Sequence, residues 1–256
     1  MWIEGALDRP HSLARLVEGA AAVIHVAGVV NAPDRAGFAA GNIAGTEAVL
    51  AAAGGRRFVH VSSLAAREPG LSTYGWSKAE AEARVAASGL DWTIVRPPAV
   101  YGPGDTEMLD LFRAARWGVL PMPAGGRASL IHAADLARLL LVLAGGGARG
   151  QVLEPDDGRA GGWPHAELAR AIGDAVGRRV LPLPVPAPLL MAGARVDRLL
   201  RGDKAKLTPD RARYMAHPDW VAGRRPDPVL WQPAIPTERG LAETAAAYRA
   251  AGWLRG

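Results

Sequence analysis

Residues 22–28 read AVIHVAG, a short apolar run rich in β-branched residues that closes on Ala27-Gly28. A run of this length ending in small residues is the mark of a strand buried on both faces, as in parallel sheets. The next forty residues decide what that strand belongs to. Residues 43–53 (IAGTEAVLAAA) carry the period of an amphipathic helix, Gly54-Gly55 ends it, and residues 57–61 (RFVHV) form a second strand. The pattern then predicts a helix over residues 74–87, with Ser72 or Thr73 as its N-cap and Gly89 past its end. A third strand, residues 91–95 (DWTIV), stops at Pro97-Pro98. Strands linked in turn by helices require right-handed parallel crossovers. The expected fold is therefore α/β, a doubly wound parallel sheet.

Composition sets the outer bounds. At 256 residues and 49% hydrophobic, the chain can build a sizeable core without staples. It has no cysteine, which removes disulfides, thiolate metal sites and a cysteine nucleophile. The apolar run at residues 20–30 is interrupted by His25 and is too short to span a bilayer, and MWIEGALDRP is not a signal peptide. The expectation is a cytoplasmic protein. The net charge is +5, with nine basic residues against four acidic between Arg195 and Arg225. No nucleic-acid motif accompanies the excess, so no nucleic-acid partner is expected; an anionic substrate is an alternative use for it. The six histidines show no metal-ligand spacing and no metal is expected.

In doubly wound sheets ligands bind beyond the carboxyl ends of the strands. Those ends here carry Ala27-Gly28, Ser62-Ser63 and residues 96–104 (RPPAVYGPG). The predicted helix at residue 74 opens just after the second of these, with TYGWSK at 73–78. Tyr74 and Lys78, at i and i+4, share a helix face. Of the 30 basic residues only Lys78, Lys204 and Lys206 are lysine, and four tyrosines scattered with them would give Tyr-x-x-x-Lys only about 0.05 times by chance. An ammonium beside a phenol stabilises the phenolate and lowers its pKa, as a proton-transfer role requires. A nearby serine can polarise a substrate oxygen.

Seven stretches in order carry a family likeness: VIHVAG (23–28), NIAGTEAVLAAA (42–53), FVHVSS (58–63), YGWSK (74–78), IVRPPAVYGPGD (94–105), IHAADLARLL (131–140) and GLAETAAAYRAAGWL (240–254). Through them the chain resembles an extended short-chain dehydrogenase/reductase of the NAD-dependent epimerase/dehydratase family. The resemblance implies a Rossmann-type domain over residues 1–155 and a smaller substrate-binding cap over residues 156–256, interleaved with residues 97–129. It implies an NAD(P)-dependent oxidoreductase, epimerase or dehydratase acting on a hydroxyl or carbonyl of a small molecule. Tyr74 would be the acid/base, Lys78 the residue that binds the nicotinamide ribose and lowers the tyrosine pKa, and Ser63 the orienting hydroxyl. Asn42 would hold a proton-relay water. Leu7, Ala27, Gly28, Ser62, Pro97, Pro98 and Val100, with Tyr74 and Lys78, would line NAD or NADP. The two helices at 42–53 and 74–87 would form a homodimer face.

The chain departs from the family at its start. The strand, GxxGxxG turn and helix that hold the pyrophosphate are not found, and none of the glycine clusters at 102–104, 145–147 or 158–162 sits between an early strand and a helix. The Rossmann domain is thus expected to be N-terminally incomplete, with an unpaired apolar edge at residues 22–26 and weak NAD(P) binding. Only eleven residues separate Ser63 from Tyr74, fewer than epimerase-type members carry. A non-catalytic NAD(P)-sensing or assembly protein, or an inactive fragment, is the alternative to an enzyme.

Plainer roles compete at several positions. Ser62 and Ser63 are also suited to bonding a strand end, Asn42 to capping the helix after it, and Arg96 to anchoring the third strand. Tyr101 reads as turn packing. In IHAADL, His132 reads as a strand end and Asp135 as the cap of the next helix. The eight tryptophans read as core or pocket lining, and residues 181–190 (LPLPVPAPLL) as an extended linker. Beyond it, Leu189, Leu190, Val196, Leu199 and Leu200 are expected on one helical face with Arg195, Arg198 and Arg201 around them. Such a basic amphipathic helix can lie on a membrane surface, although membrane association is not the expectation.

Overall fold

A computed structural model describes residues 2–202, 205 and 207–254. Lys204 and Lys206, part of the basic excess noted above, lie outside the described residues. The strands are β1 (Ala22–His25), β2 (Arg57–Val61), β3 (Trp92–Val95), β4 (Ala99–Tyr101), β5 (Val119–Pro123), β6 (Arg127–Ala128), β7 (Leu130–His132), β8 (Gln151–Leu153), β9 (Trp163–Pro164), β10 (Leu181–Val185) and β11 (Asp219–Trp220). The helices are α1 (Ala14–Val17), α2 (Arg35–Phe38), α3 (Gly45–Ala53), α4 (Thr73–Ala86), α5 (Leu109–Ala115), α6 (Ala133–Ala144), α7 (His165–Val176), α8 (Ala187–Arg201), α9 (Pro209–Ala216) and α10 (Thr237–Ala250). They fall into two compact units. The first comprises Met1–Pro97, Ala137–Pro155 and Arg224–Trp231; the second comprises Pro98–Leu136, Asp156–Gly223 and Gln232–Gly256.

The first unit holds a four-stranded sheet in the order β1-β2-β3-β8, all parallel, with Val23 opposite Phe58, Val59 opposite Thr93 and Ile94 opposite Val152. Every residue of β2 is buried, as its unbroken apolar pattern requires. Phe58 and Ile94 pack with Leu13, Val49, Ala53 and Val85 into one core. α4 begins where the sequence places it: the Ser72 hydroxyl accepts from Gly75 N at 2.9 Å. Gly54, with φ of 59°, ends α3 in the left-handed conformation that glycine adopts freely. β8 has no forecast in the sequence, because three residues are too short for a periodic signal.

At the start of β2 Arg57 is buried, with its guanidinium on Asp91 Oδ1 at 2.8 Å, Thr93 Oγ1 at 2.5 Å and the carbonyls of Leu143 and Gly147. An arginine is tolerated there because each face of its fork finds an acceptor.

The second unit has its own core, including Tyr101, Phe112, Leu120, Leu130, Ile172, Leu241 and Tyr248. Residues 181–190 are not the linker expected. Residues 181–185 form β10, parallel to β5 with Leu181 opposite Val119, and α8 starts at Ala187. Alternating prolines are compatible because the ribbon bonds along one side, with Leu181 N donating to Gly118 O and Ala124 N to Val185 O. His132 ends β7 as expected. Asp135 does not simply cap α6: its carboxylate accepts from the backbone N of Ala234 and Ile235, tying down the approach to α10. Nor are all the tryptophans internal, since Trp2 and Trp117 are exposed.

Candidate active site

β2 ends at Val61, and the chain turns through Ser62 and Ser63 into a short 3-10 helix, Leu64–Arg67, whose Ala65 N donates to Ser63 Oγ. α4 packs against this turn. Gly75 makes the approach feasible: a Cβ there would lie 2.7 Å from Ala65 O. The result is that the Ser63 hydroxyl and the Tyr74 phenol are hydrogen-bonded. The short Ser63-to-Tyr74 spacing therefore still brings the two together. Tyr74 also packs against Phe38, with ring centroids 6.2 Å apart.

One turn further along α4, Lys78 is buried, 5% exposed, and its Nζ donates to Val61 O at 2.8 Å. Burial pushes its pKa down to about 8, with Glu82 pulling the other way. The phenol of Tyr74 is held above its ordinary value by burial, partly offset by the Ser63 hydrogen bond. The lowering expected from the lysine is thus not what this geometry yields. The ammonium is engaged by a backbone carbonyl, and desolvation of the phenolate dominates.

Asn42 sits in a π-helical turn, Ala39–Ala44, just ahead of α3. It does not cap that helix. Its Oδ1 accepts from Val29 N at 2.8 Å, and its Nδ2 donates to Val29 O at 3.0 Å and to Ser77 Oγ at 2.9 Å. Ser77 Oγ in turn donates to Tyr74 O. The loop after β1 is thereby fastened to the helix bearing Tyr74 and Lys78. A π-turn at such a point is a frequent companion of functional sites.

That loop comes close because Gly28 has no side chain: a Cβ would lie 2.7 Å from Asn42 Oδ1 and 3.9 Å from Lys78 Nζ. Val26, Ala27 and Gly28 are exposed. Pro97 is buried and its carbonyl accepts from Leu64 N, joining the end of β3 to the turn that Ser63 caps. Pro98 and Val100 belong to the second unit, where Val100 pairs with Ile131. Leu7 packs its side chain against α3 at Gly45. The Ser62 hydroxyl is committed to Glu82 Oε1, and Arg96 grips both oxygens of Glu82 at 2.9 and 2.6 Å while approaching Glu154 at 3.5 Å. Arg96 is thus the strand anchor expected of it.

Two histidines lie under the site. His25 Nε2 is 3.0 Å from Thr46 Oγ1, and the rings of His25 and His60 are 5.3 Å apart. Both ring nitrogens of His60 are buried without a partner. Burial, reinforced by the Lys78 charge, pushes His25 down to about 4 and His60 well below its ordinary value. Both imidazoles are therefore neutral near pH 7.

Glu82 and Ser77 are the members of this cluster that the sequence reading did not single out. Glu82 had a signal, since it continues the i, i+4, i+8 row of Tyr74 and Lys78 on one helix face. Ser77 had none, because its role depends on Asn42 arriving from 35 residues away.

A buried ammonium, a serine-bonded phenol and the exposed small residues Ala27 and Gly28 fit the nicotinamide-ribose end of a dinucleotide. Among the described residues no group of His, Asp and Glu is placed to hold a metal.

Residues 1–142 match the family described as NAD(P)H-binding. The chain is similar to a ceramide reductase from Caulobacter vibrioides, 40% identical over 264 residues, covering 98% of this chain and 81% of that one. It is also similar to a 4-hydroxy-2-methyl-3-oxo-4-farnesyl-3,4-dihydroquinoline-1-oxide ketoreductase from Stigmatella aurantiaca, 30% identical over 61% of this chain and 54% of that one. Among solved structures it is similar to the Bordetella bronchiseptica enzyme WbmG in complex with NAD and UDP, with a TM-score of 0.69 and 18% identity over 98% of this chain and 81% of that one. The chain belongs to the NAD(P)H-binding family of extended short-chain dehydrogenases/reductases, whose cofactor is NAD or NADP.

Proposed function

We propose that this protein is an NAD(P)H-dependent reductase that converts a ketone on a lipophilic, long-chain substrate to an alcohol. The observation that carries the reading is the Ser63–Tyr74 hydrogen bond on the helix that buries Lys78. The reductases similar to this chain act, by name, on a ceramide and on a farnesyl-bearing quinoline oxide, which supports both the direction of the reaction and the apolar substrate.

When bound, the reduced nicotinamide supplies a hydride to the carbonyl carbon. Tyr74 Oη gives the proton to the carbonyl oxygen, and Ser63 Oγ donates a hydrogen bond to that same oxygen, holding it toward the phenol. A phenol kept above its ordinary pKa by burial is fully protonated at neutral pH, the state a general acid requires. Lys78 would turn from Val61 O toward the ribose hydroxyls. Asn42 and Ser77 hold the backbone of Tyr74 against the loop after β1.

The test is Tyr74→Phe, assayed for NAD(P)H oxidation with long-chain ketones. Loss of general acid catalysis is expected to lower kcat by about 10²–10⁴-fold with NAD(P)H affinity retained. Unchanged turnover would sink the mechanism.

A further inference from the structure

α8 presents its apolar side to water. Leu190, Met191, Ala194 and Asp197 turn inward, Ala194 fully buried, while Asp197 Oδ2 accepts from Leu207 N at 2.9 Å and its Oδ1 pairs with Arg201 at 3.1 Å. The opposite side carries Leu189, Val196, Leu199 and Leu200, at 62, 55, 85 and 77% exposure. Their 189, 196, 200 and 199 positions form one continuous stripe. Leu190, expected on that stripe, is on the packed side instead. A surface helix ordinarily shows water its polar residues, so this orientation is inverted.

The ribbon just before it repeats the inversion. On β5 and β10 the paired Val119 and Leu181, and Leu183 beyond them, are exposed while Leu120 and Met122 between them are buried. Trp117, 85% exposed, stands next to Gly118, which bonds Leu181. A single residue, Pro186, separates ribbon from helix. Scattered apolar side chains on a surface need no explanation, but two consecutive elements with apolar outer faces do.

Charge selects the occupant. α8 carries three arginines against one aspartate, and that aspartate is already held by Arg201 and Leu207. Arg195 is exposed at the border of the stripe, and Arg198, one turn past Ala194, is exposed as well. Pairing with a second copy would bring two net-basic segments face to face. An anionic surface complements them, and an aliphatic stripe bordered by Arg195, on a helix whose Arg198 and Arg201 are also exposed, with a nearby tryptophan, matches the interface of a lipid bilayer. Among the described residues no helix is long and apolar enough to cross a membrane, so the contact would be along the surface.

We propose that α8, with the outer face of the β5–β10 ribbon, docks the protein on the surface of an anionic phospholipid bilayer. The docking requires no particular substrate or cofactor. It is tested by co-sedimentation of the full chain with phosphatidylcholine vesicles, with and without phosphatidylglycerol. Partitioning is expected to be at least about tenfold stronger with phosphatidylglycerol and to weaken with salt. Leu199→Glu with Leu200→Glu should lower it by about tenfold or more. Because both side chains are exposed, the thermal midpoint should not move. Arg195→Glu with Arg198→Glu should abolish the preference for the anionic lipid. Absence of vesicle binding by the unaltered protein, or equal binding by the leucine pair variant, would overturn the proposal. So would a dimer in sedimentation velocity that the leucine variant dissolves while vesicle binding is absent, which would assign the face to a second copy.

Discussion

Lys78 and Tyr74 titrate from opposite sides of the working range. Lys78, brought down to about 8 by burial, is charged below that pH and neutral above it, whereas the phenol stays protonated throughout. If the ammonium is needed to hold the ribose, kcat/KM for ketone reduction should be level up to about pH 7 and fall as pH rises through about 8. Lys78→Ala should give a low profile with that fall removed. A pH–rate series on both proteins checks this, and a fall appearing only near the phenol's own titration would reassign it to Tyr74. The pair itself was legible as residue types at i, i+4 spacing. The sign of the tyrosine shift was not, because spacing says nothing of how far the phenol is desolvated or that Val61 O takes the lysine's hydrogen bond.

At the scale of elements, the site depends on how near α4 comes to the turn after β2. Gly75 permits that contact, and a methyl group there would meet Ala65 O at 2.7 Å. Gly75→Ala should push the helix back and part Tyr74 from Ser63. The expected cost is roughly 1–3 kcal/mol of stability, typical of overpacking, and a fall in kcat of about 10² from misplaced catalytic groups. Thermal melts and steady-state kinetics on the variant measure both, and full activity would show that the contact is not needed. The helix and its Ser72 cap were readable from local sequence, since capping chemistry lies within three residues. The plainer reading of Asn42, as a cap, fails because its partners, Val29 and Ser77, become neighbours only after folding. The ribbon of β5 and β10 was hidden for a similar reason: prolines mark residues 181–190 as an extended linker until a partner strand bonds the remaining donors of residues 181–185.

At the scale of the whole molecule, two buried histidines of the first unit make stability sensitive to acid. His25 and His60 are neutral when folded and titrate near 6.5 when unfolded, so the unfolded chain binds more protons between about pH 4 and 6.5. Their contribution is present above about pH 6.5 and is lost as pH falls toward 4. For His25 alone, the drop from 6.5 to about 4 corresponds to roughly 3 kcal/mol. Denaturant unfolding at pH 7 and pH 5 should show this loss, and His60→Leu should shrink the difference between the two. An equal difference in the variant would remove His60 from the account.

The sequence by itself determined the succession of parallel strands and helices through local periodicity and capping, and the family through seven stretches in order; it offered Tyr74 and Lys78 as candidates by their spacing, and Ser63 by the resemblance. Tertiary structure alone decided where the lysine spends its charge, which glycine lets two elements touch, and that α8 turns Leu189, Leu199 and Leu200 outward. These are properties of packing between segments distant in the chain, and burial and contact, not spacing, set their energies.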